Sequence, residues 1–385
     1  MKISVVLGLG FGDEGKGLTT SYLVSQSNWS PNKILVTRFQ GGHQAGHTVV
    51  HEGRRHVFSS FGSGTLQGCD TYWTKHCTFY PIAFLNERTD LGDTGTLYLI
   101  DALTPIVTPY DLLHNQAMER QKQHGSVGVG FGTTLKRQED YYKLHFADLL
   151  YDAIVRQKLK AISEYYHGIT LKAEFMDEFL EAIATIRQLV LHKQIMMITH
   201  PERHEKVFSK YMENIFEGAQ GILLDMDHGF FPNVTRSNTT SKNVGIILND
   251  MGQTAYRSTA IWYVTRSYQT RHGNGFMTNE GTEHITKPNP LETNVQNTYQ
   301  GKFRKGMLDL ELLKHAINCD RASGVPGHRN LMITCLDQTD GVIRFTSGQP
   351  PYEATALPDE FIDRHLGIPF QQIKLSYGDS WSAVV

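Results

Sequence analysis

The chain is poor in cysteine. It has four in 385 residues, Cys69, Cys77, Cys319 and Cys335, and no Cys-x-x-Cys pair among them. That argues against a disulfide framework and for reduced thiols in a cytosol. No apolar run approaches the roughly 18–20 residues that a membrane span needs. The first residues also lack the pattern of a secretory signal. A cytoplasmic location is therefore expected, the host cytoplasm if the chain is phage-encoded. There is no excess of either charge, the formal net charge being −2. Direct binding to nucleic acid or to an anionic membrane surface is accordingly not expected. Internal repeats and low-complexity segments are also absent. What remains, 40% hydrophobic and 20% charged residues, is the composition of a globular protein, with length for one large α/β domain or two smaller ones.

The richest local signal is Gly8-Leu9-Gly10-Phe11-Gly12-Asp13-Glu14-Gly15-Lys16-Gly17. It follows an apolar run, Ile3 to Leu7, that reads as a buried strand, and it precedes a helical start at Thr19 to Ser25. In such a strand–turn–helix unit, backbone N–H groups and a helix N-terminus cradle phosphate. Gly10, Gly12 and Gly15 fit G-x-G-x-x-G, and Gly10, Gly15 and Lys16 fit G-x-x-x-x-G-K. The second pattern lacks its terminal Ser or Thr, because residue 17 is glycine. Any magnesium bound here needs another oxygen, and Asp13 lies in the loop to offer one.

Further glycine loops follow other strands. Lys33 to Phe39 reads as a strand running into Gln40-Gly41-Gly42-His43-Gln44-Ala45-Gly46-His47-Thr48. Strand ends of this kind are where α/β sheets hold ligands. His124 to Thr134 is too glycine-rich for a helix interior and reads as a mobile or phosphate-approaching loop. Tyr142 to Tyr166 and Leu171 to His192 carry helical periodicity and are expected to form a cap beside the sheet. Val234 to Thr240 is rich in hydroxyls. Arg271-His272-Gly273-Asn274-Gly275 is another glycine loop. Thr298 to Gly306 contains Lys302, Arg304 and Lys305, compatible with a carboxylate or phosphate clamp or with a solvated turn. These loops point to a phosphate-handling, metal-dependent α/β enzyme. A nicotinamide dehydrogenase would want an acid at the end of the second strand, where the chain has Arg38-Phe39-Gln40. A nucleotide-binding module without chemistry remains a remote alternative.

Taken together and in order, the loops resemble those of the adenylosuccinate synthetase family. The resemblance rests on Gly12 to Gly17, Gly41 to Thr48, Phe216 to Gly221 with Leu223-Leu224-Asp225, Asp227-His228-Gly229, Val234-Thr235 with Ser237 to Thr240, Gly306 with Leu308-Asp309, and Leu336-Asp337 with Asp340-Gly341. It implies an α/β fold, mainly a parallel central sheet flanked by helices, with a P-loop-like turn. It also implies a single domain over residues 1–385, with a mostly helical insertion around 137–210. The implied activity is that of a C–N ligase joining L-aspartate to C6 of a 6-oxopurine nucleotide through a 6-phosphoryl intermediate, with a nucleoside triphosphate and Mg2+. Asp13 and His47 are then the catalytic residues, and Asp13 and the Gly46 carbonyl the metal ligands. The implied nucleotide- and phosphate-binding set is Gly12, Glu14, Gly15, Lys16, Gly17, Gln44, Ser126, Arg137, Gln220, Thr235 and Asp337. Thr298, Lys302 and Arg304 would bind aspartate. A homodimer is implied, with Arg137 reaching the nucleotide phosphate of a second subunit.

The chain departs from the family pattern at instructive places. Thr334-Cys335-Leu336-Asp337 lacks the lysine of the family's Thr-Lys-Leu-Asp, whose stem packs on guanine. Ser126-Val127-Gly128-Val129-Gly130 stands for Thr-Thr-Gly-Arg-Gly. The aspartate loop is one residue shorter and contains Phe303. Departures of these kinds mark the phage-associated branch, which acts on dGMP to give N6-succino-2-amino-2′-deoxyadenylate, the precursor of diaminopurine DNA, and can use an adenine nucleotide as donor. The expectation is therefore dGMP with ATP or dATP. The alternative is IMP with GTP.

Overall fold

The run Ile3–Leu7 shows no polar alternation because both faces of its strand are covered. The computed structural model describes residues 1–122, 125–199, 207–251, 259–282, 285–294 and 299–385. The strands are β1 (Lys2–Gly8), β2 (Ile34–Arg38), β3 (His47–His51), β4 (Arg54–Phe58), β5 (Asp70–Trp73), β6 (Tyr98–Asp101), β7 (Ile195–Ile198) and β8 (Glu213–Gly221). They continue with β9 (Ala260–Arg266), β10 (Gln269–His272), β11 (Phe303–Gly306), β12 (Leu308–Asp309), β13 (His328–Thr334), β14 (Ile343–Ser347), β15 (Tyr352–Ala356) and β16 (Gln372–Leu375). Nine form one sheet in the order β16-β13-β9-β1-β8-β2-β5-β6-β7, every neighbouring pair parallel.

From β1, Ile3, Val5 and Leu7 enter one apolar cluster, with Val244 and Leu248 of helix Lys242–Asp250 and Leu313 and Ile317 of helix Leu310–Ser323. Val6 enters another, against Tyr22, Leu23 and Val24 of α1 (Lys16–Ser25). Parallel strands gather their carboxyl ends on one side, and a ligand crevice opens there where connections leave in opposite directions. Here that edge brings together the loops after β1, β2, β8, β9 and β13.

The remaining helices numbered here are α2 (Pro81–Leu91), α3 (Pro109–Lys122), α4 (Phe131–Glu139), α5 (Asp152–Tyr165) and α6 (Ala173–Leu191). The moderate amphipathic stripes of α5 and α6 supply Val155, Leu159, Ile162, Phe179, Ile183 and Ile186 to a cluster that includes Tyr98, Ile100 and Ile195. The helical insertion expected around 137–210 is therefore not only a cap. It also carries β7, the terminal strand of the main sheet, whose four residues are too short a run to stand out by periodicity.

Arg137 requires a correction. It lies in α4 and is fully buried. Its Nε donates to Asp111 Oδ1 at 2.8 Å and its Nη2 to Asp111 Oδ2 at 3.0 Å and the Ile106 carbonyl at 2.8 Å, while Nη1 binds the Tyr142 carbonyl. The guanidinium thus locks α4 to α3 from inside and cannot reach a nucleotide in a second subunit. Removing one partner of a buried pair strands the other charge, at a cost of about 3–5 kcal/mol. Arg137→Ala is expected to lower unfolding free energy by that amount in urea titrations, with the KM values of the folded fraction unchanged within about twofold.

Candidate functional site

The loop after β1 is organised by a carboxylate that faces inward. Glu14 is 3% exposed. Its Oε1 accepts from Gly10 N at 3.0 Å and Gly12 N at 2.7 Å, and its Oε2 from Lys16 Nζ at 2.5 Å. Glu14, expected among the phosphate-binding residues, is instead the brace of the loop, and the Gly12 N–H is spent on it. Three consecutive carbonyls are tied to neighbouring strands. Gly12 O accepts from Thr270 Oγ1 at 3.0 Å, Asp13 O from Arg266 Nε at 2.5 Å, and Glu14 O from Thr334 Oγ1 at 2.7 Å. With those groups occupied, the start of α1 is left as the anion-binding end. It has no acidic residue in its first turn, so its free backbone N–H groups and the helix dipole present positive charge, with the Lys16 ammonium beside them paired to Glu14.

Two glycines are fixed by sterics. Gly15 has φ of 97° and a Cβ there would lie 3.0 Å from Thr334, while a Cβ on Gly17 would lie 2.8 Å from the Cβ of His47. Gly17 is therefore what lets α1 approach β3 closely enough to bring His47 to the loop.

His47 opens β3, and its Nδ1 lies 2.8 Å from Oε1 of Glu217 in the middle of β8. Glu217 also accepts from Ser63 N at 3.0 Å and from Ser63 Oγ. Burial pushes the Glu217 carboxyl up, but the His47 ring, Arg38 and Ser63 outweigh it and hold it at about 2. Burial pushes the His47 ring down against the pull of Glu217. Nδ1–H is donated to the carboxylate, which holds the ring in place at the cleft wall. Glu217 was visible in sequence as part of Phe216–Gly221 but had no role there. An acid directly after the short run Asn214–Phe216 and before a glycine was the available signal.

Asp13 adopts φ of 65°, a left-handed conformation uncommon for a residue with a side chain. Its carboxylate Oδ2 lies 3.3 Å from His272 Nε2. Burial pushes its pKa up, against the nearby charges of His272, Arg266 and Lys16, which moves it toward the range useful to a general base. His272 and Arg266 were not foreseen as site residues.

These groups line a cleft of about 1840 Å³. Asp13, Gly12, Gly15, Lys16, Gly17, Gln44, Gly46, His47, Ser126, Gln220, Thr235 and Asp337 all line it. Gln44 Nε2 and Oε1 and Gln220 Oε1 are buried without a hydrogen-bond partner among the described residues. Unpaired amides facing a cleft are what a polar ligand would satisfy. Ser126 Oγ accepts from Asn115 Nδ2 at 2.9 Å. Asp337 is exposed in the turn Leu336–Thr339 after β13.

The expected aspartate residues fare differently. Thr298 lies outside the described residues. Lys302 is exposed, and neither it nor Arg304 lines the cleft. Arg304 is turned to Glu280 and to the Gly275 carbonyl at 2.9 Å. Its cross-strand neighbour on the β10–β11 ribbon, Arg271, does line the cleft, with its guanidinium 4.3 Å from the Phe11 ring centroid. No group of three or more His, Cys, Asp or Glu able to hold a metal occurs among the described residues. Magnesium is usually held by one or two carboxylates, waters and substrate phosphates rather than by a protein cage. Asp13 and Gly46 at the phosphate loop offer that kind of partial set.

Fold and site thus define a nucleotide-handling α/β enzyme with a histidine–carboxylate pair beside its phosphate loop. A family model described as adenylosuccinate synthetase matches residues 5–346. The adenylosuccinate synthetase of Pseudomonas fluorescens is 29% identical over 379 residues, 94% of this chain and 84% of that protein. That of Xanthomonas euvesicatoria is 30% identical over 354 residues, 88% and 78% of the two chains. Among solved structures, fully ligated adenylosuccinate synthetase from Plasmodium falciparum aligns with a TM-score of 0.79 at 17% identity, covering 100% of this chain and 99% of its own. The succinoaminodeoxyadenylate synthetase of cyanophage S-2L, bound to dGMP and to dATP as energy donor, aligns with a TM-score of 0.66 at 16% identity, covering 100% and 95%. The chain belongs to the adenylosuccinate synthetase family and is a C–N ligase. The expected fold class is the one found, and among the described residues no helix is long and apolar enough to cross a membrane.

The pairing of His47 with Glu217 predicts that Glu217→Gln, which can keep the hydrogen bond but loses the charge, lowers kcat at least about tenfold. KM for the nucleotides should change less than about threefold. A variant with wild-type kcat and raised KM would make Glu217 a binding element instead.

Proposed function

We propose that the chain joins L-aspartate to C6 of dGMP with ATP or dATP as phosphoryl donor, giving N6-succino-2-amino-2′-deoxyadenylate. The observation that carries this reading is Cys335. It lies half-buried at the cleft beside Asp337, where a family lysine would lay a long stem over guanine. With so short a side chain the site loses its clamp on guanine and its strong reason to exclude adenine. The likeness in fold to the cyanophage enzyme, which holds dGMP and dATP, supports the same reading. The second reading is IMP with GTP, favoured by the curated relatives at about 30% identity, which are adenylosuccinate synthetases.

In either case the chain's residues serve the same steps. Asp13 takes the proton from purine N1, and the O6 so made nucleophilic attacks the γ-phosphorus of the donor. His47, held by Glu217, stabilises charge on O6 and on the transferring group. Lys16 and the start of α1 bind the phosphates. The amine of aspartate then displaces phosphate from C6. Aspartate is placed against the β10–β11 ribbon, with Arg271 as the cation facing the cleft, and Gln44, Gln220 and Thr235 hold the purine nucleotide. Asp13 and the Gly46 carbonyl would hold Mg2+, which would supply neutralisation of the phosphate charge. A homodimer remains part of this reading, without Arg137 as its link.

Asp13→Ala is expected to reduce turnover about 10²–10⁴-fold while circular dichroism and melting temperature stay near wild type. Near-normal kcat in that variant would remove Asp13 from the chemistry. Crossed assays of IMP, GMP and dGMP against GTP, ATP and dATP, at fixed aspartate, should give the highest kcat/KM for dGMP with an adenine donor. A preference for GTP of about tenfold, near 1.4 kcal/mol, or for IMP, overturns the substrate reading.

A further inference from the structure

We infer that Gln338 is a specificity-determining residue for the donor nucleotide, presenting a fixed N–H donor to the ring-nitrogen edge of the base. The inference rests on the adenine-donor reading above and names the contact that would read the base. It begins with Arg266, whose guanidinium has donors only. Arg266 Nη1 lies 2.6 Å from Tyr268 Oη and 2.9 Å from Glu292 Oε2. The Tyr268 hydroxyl therefore accepts from arginine, and its single proton must point elsewhere. It points to Gln338 Oε1, 2.7 Å away. The orientation of the Gln338 amide, commonly ambiguous for such groups, is thus dictated by chemistry. The carbonyl is committed to Tyr268, and the NH2 faces the other way.

Gln338 is 8% exposed and lines the cleft directly after Asp337. Its backbone is pinned on both sides, its N–H donating to Cys335 O at 3.1 Å and its carbonyl accepting from Lys287 N at 2.8 Å. Asp337, an acceptor, and Gln338, a fixed donor, both line the cleft. Adenine presents the complementary pair, the N6 amino donor beside the N1 acceptor. Guanine presents O6 and N1–H, the opposite order along its edge. Set against ring N1, a fixed N–H pairs with adenine and opposes the N1–H of guanine, whereas an amide free to flip would serve either base. The same arginine also donates to the carbonyl of Asp13, so the group that orients the base reader is anchored in the phosphate loop.

The test compares ATP with 1-deazaATP, in which N1 is replaced by C–H, at fixed dGMP and aspartate. Wild type should show kcat/KM for ATP about tenfold or more above that for 1-deazaATP, because the N–H of Gln338 loses its acceptor. In Gln338→Leu and Gln338→Glu that ratio should collapse to within about twofold, with Gln338→Glu the poorer ATP user because it sets an oxygen against N1. Tyr268→Phe, which frees the amide to rotate, should lower the ratio while leaving the Gln338 side chain in place. A merely structural role for Gln338 would depress both donors together and leave the ratio unchanged, and that result overturns the inference while the adenine-donor reading stands. A wild-type preference for GTP overturns both.

Discussion

Glu14 sits enclosed beneath the phosphate loop, and its two oxygens gather Gly10 N, Gly12 N and Lys16 Nζ. A buried carboxylate is tolerated only when such partners satisfy it, so the acid and the loop determine each other. The neighbouring strands complete the constraint by taking three successive loop carbonyls through Thr270, Arg266 and Thr334. Loop shape, the strained φ of Asp13 and the open start of α1 all follow from this enclosure. A loop with its polar groups already spent in this way has little freedom left to rearrange when a phosphate arrives, which is the physical content of preorganisation.

Much of this was legible in the sequence where the signal is local. The mostly apolar run of β1 announced a buried strand, and the glycine loops after β1 and β2 announced the ligand edge. Asp13 and His47 both line the cleft. What was not legible depends on long-range pairing. Arg137 reads as a free cation in sequence, and only its bidentate contact with Asp111, 26 positions away, shows it to be internal mortar. Glu14 reads as a loop acid equally able to face in or out. Glu217 and His272 gain meaning only from what the fold sets opposite them, His47 and Asp13. The cations of Lys302 and Arg304 were visible, but strand pairing turned Arg304 away and left its partner Arg271 on the cleft.

The two ends of the cleft are not independent. Arg266 holds the Asp13 carbonyl and, through Tyr268, the amide of Gln338. The histidine–carboxylate pair is likewise joined to the loop through the close approach of Gly17 to His47. Chemistry and recognition are thus parts of one rigid unit built on β1, β8, β9 and β13. A substitution in any of these connectors is felt at both the reacting phosphate and the base.

The position of β1 has a consequence for how the chain matures. β1 is made well before its two sheet neighbours, which begin only at Glu213 and Ala260. Until β8 is made neither edge of β1 has its partner, and until Thr334 is made its loop lacks the full set of Thr270, Arg266 and Thr334. Parallel pairings across such sequence distances form slowly and leave exposed apolar surface while they are pending. The phosphate loop therefore takes its final shape only after the chain has been made as far as Thr334.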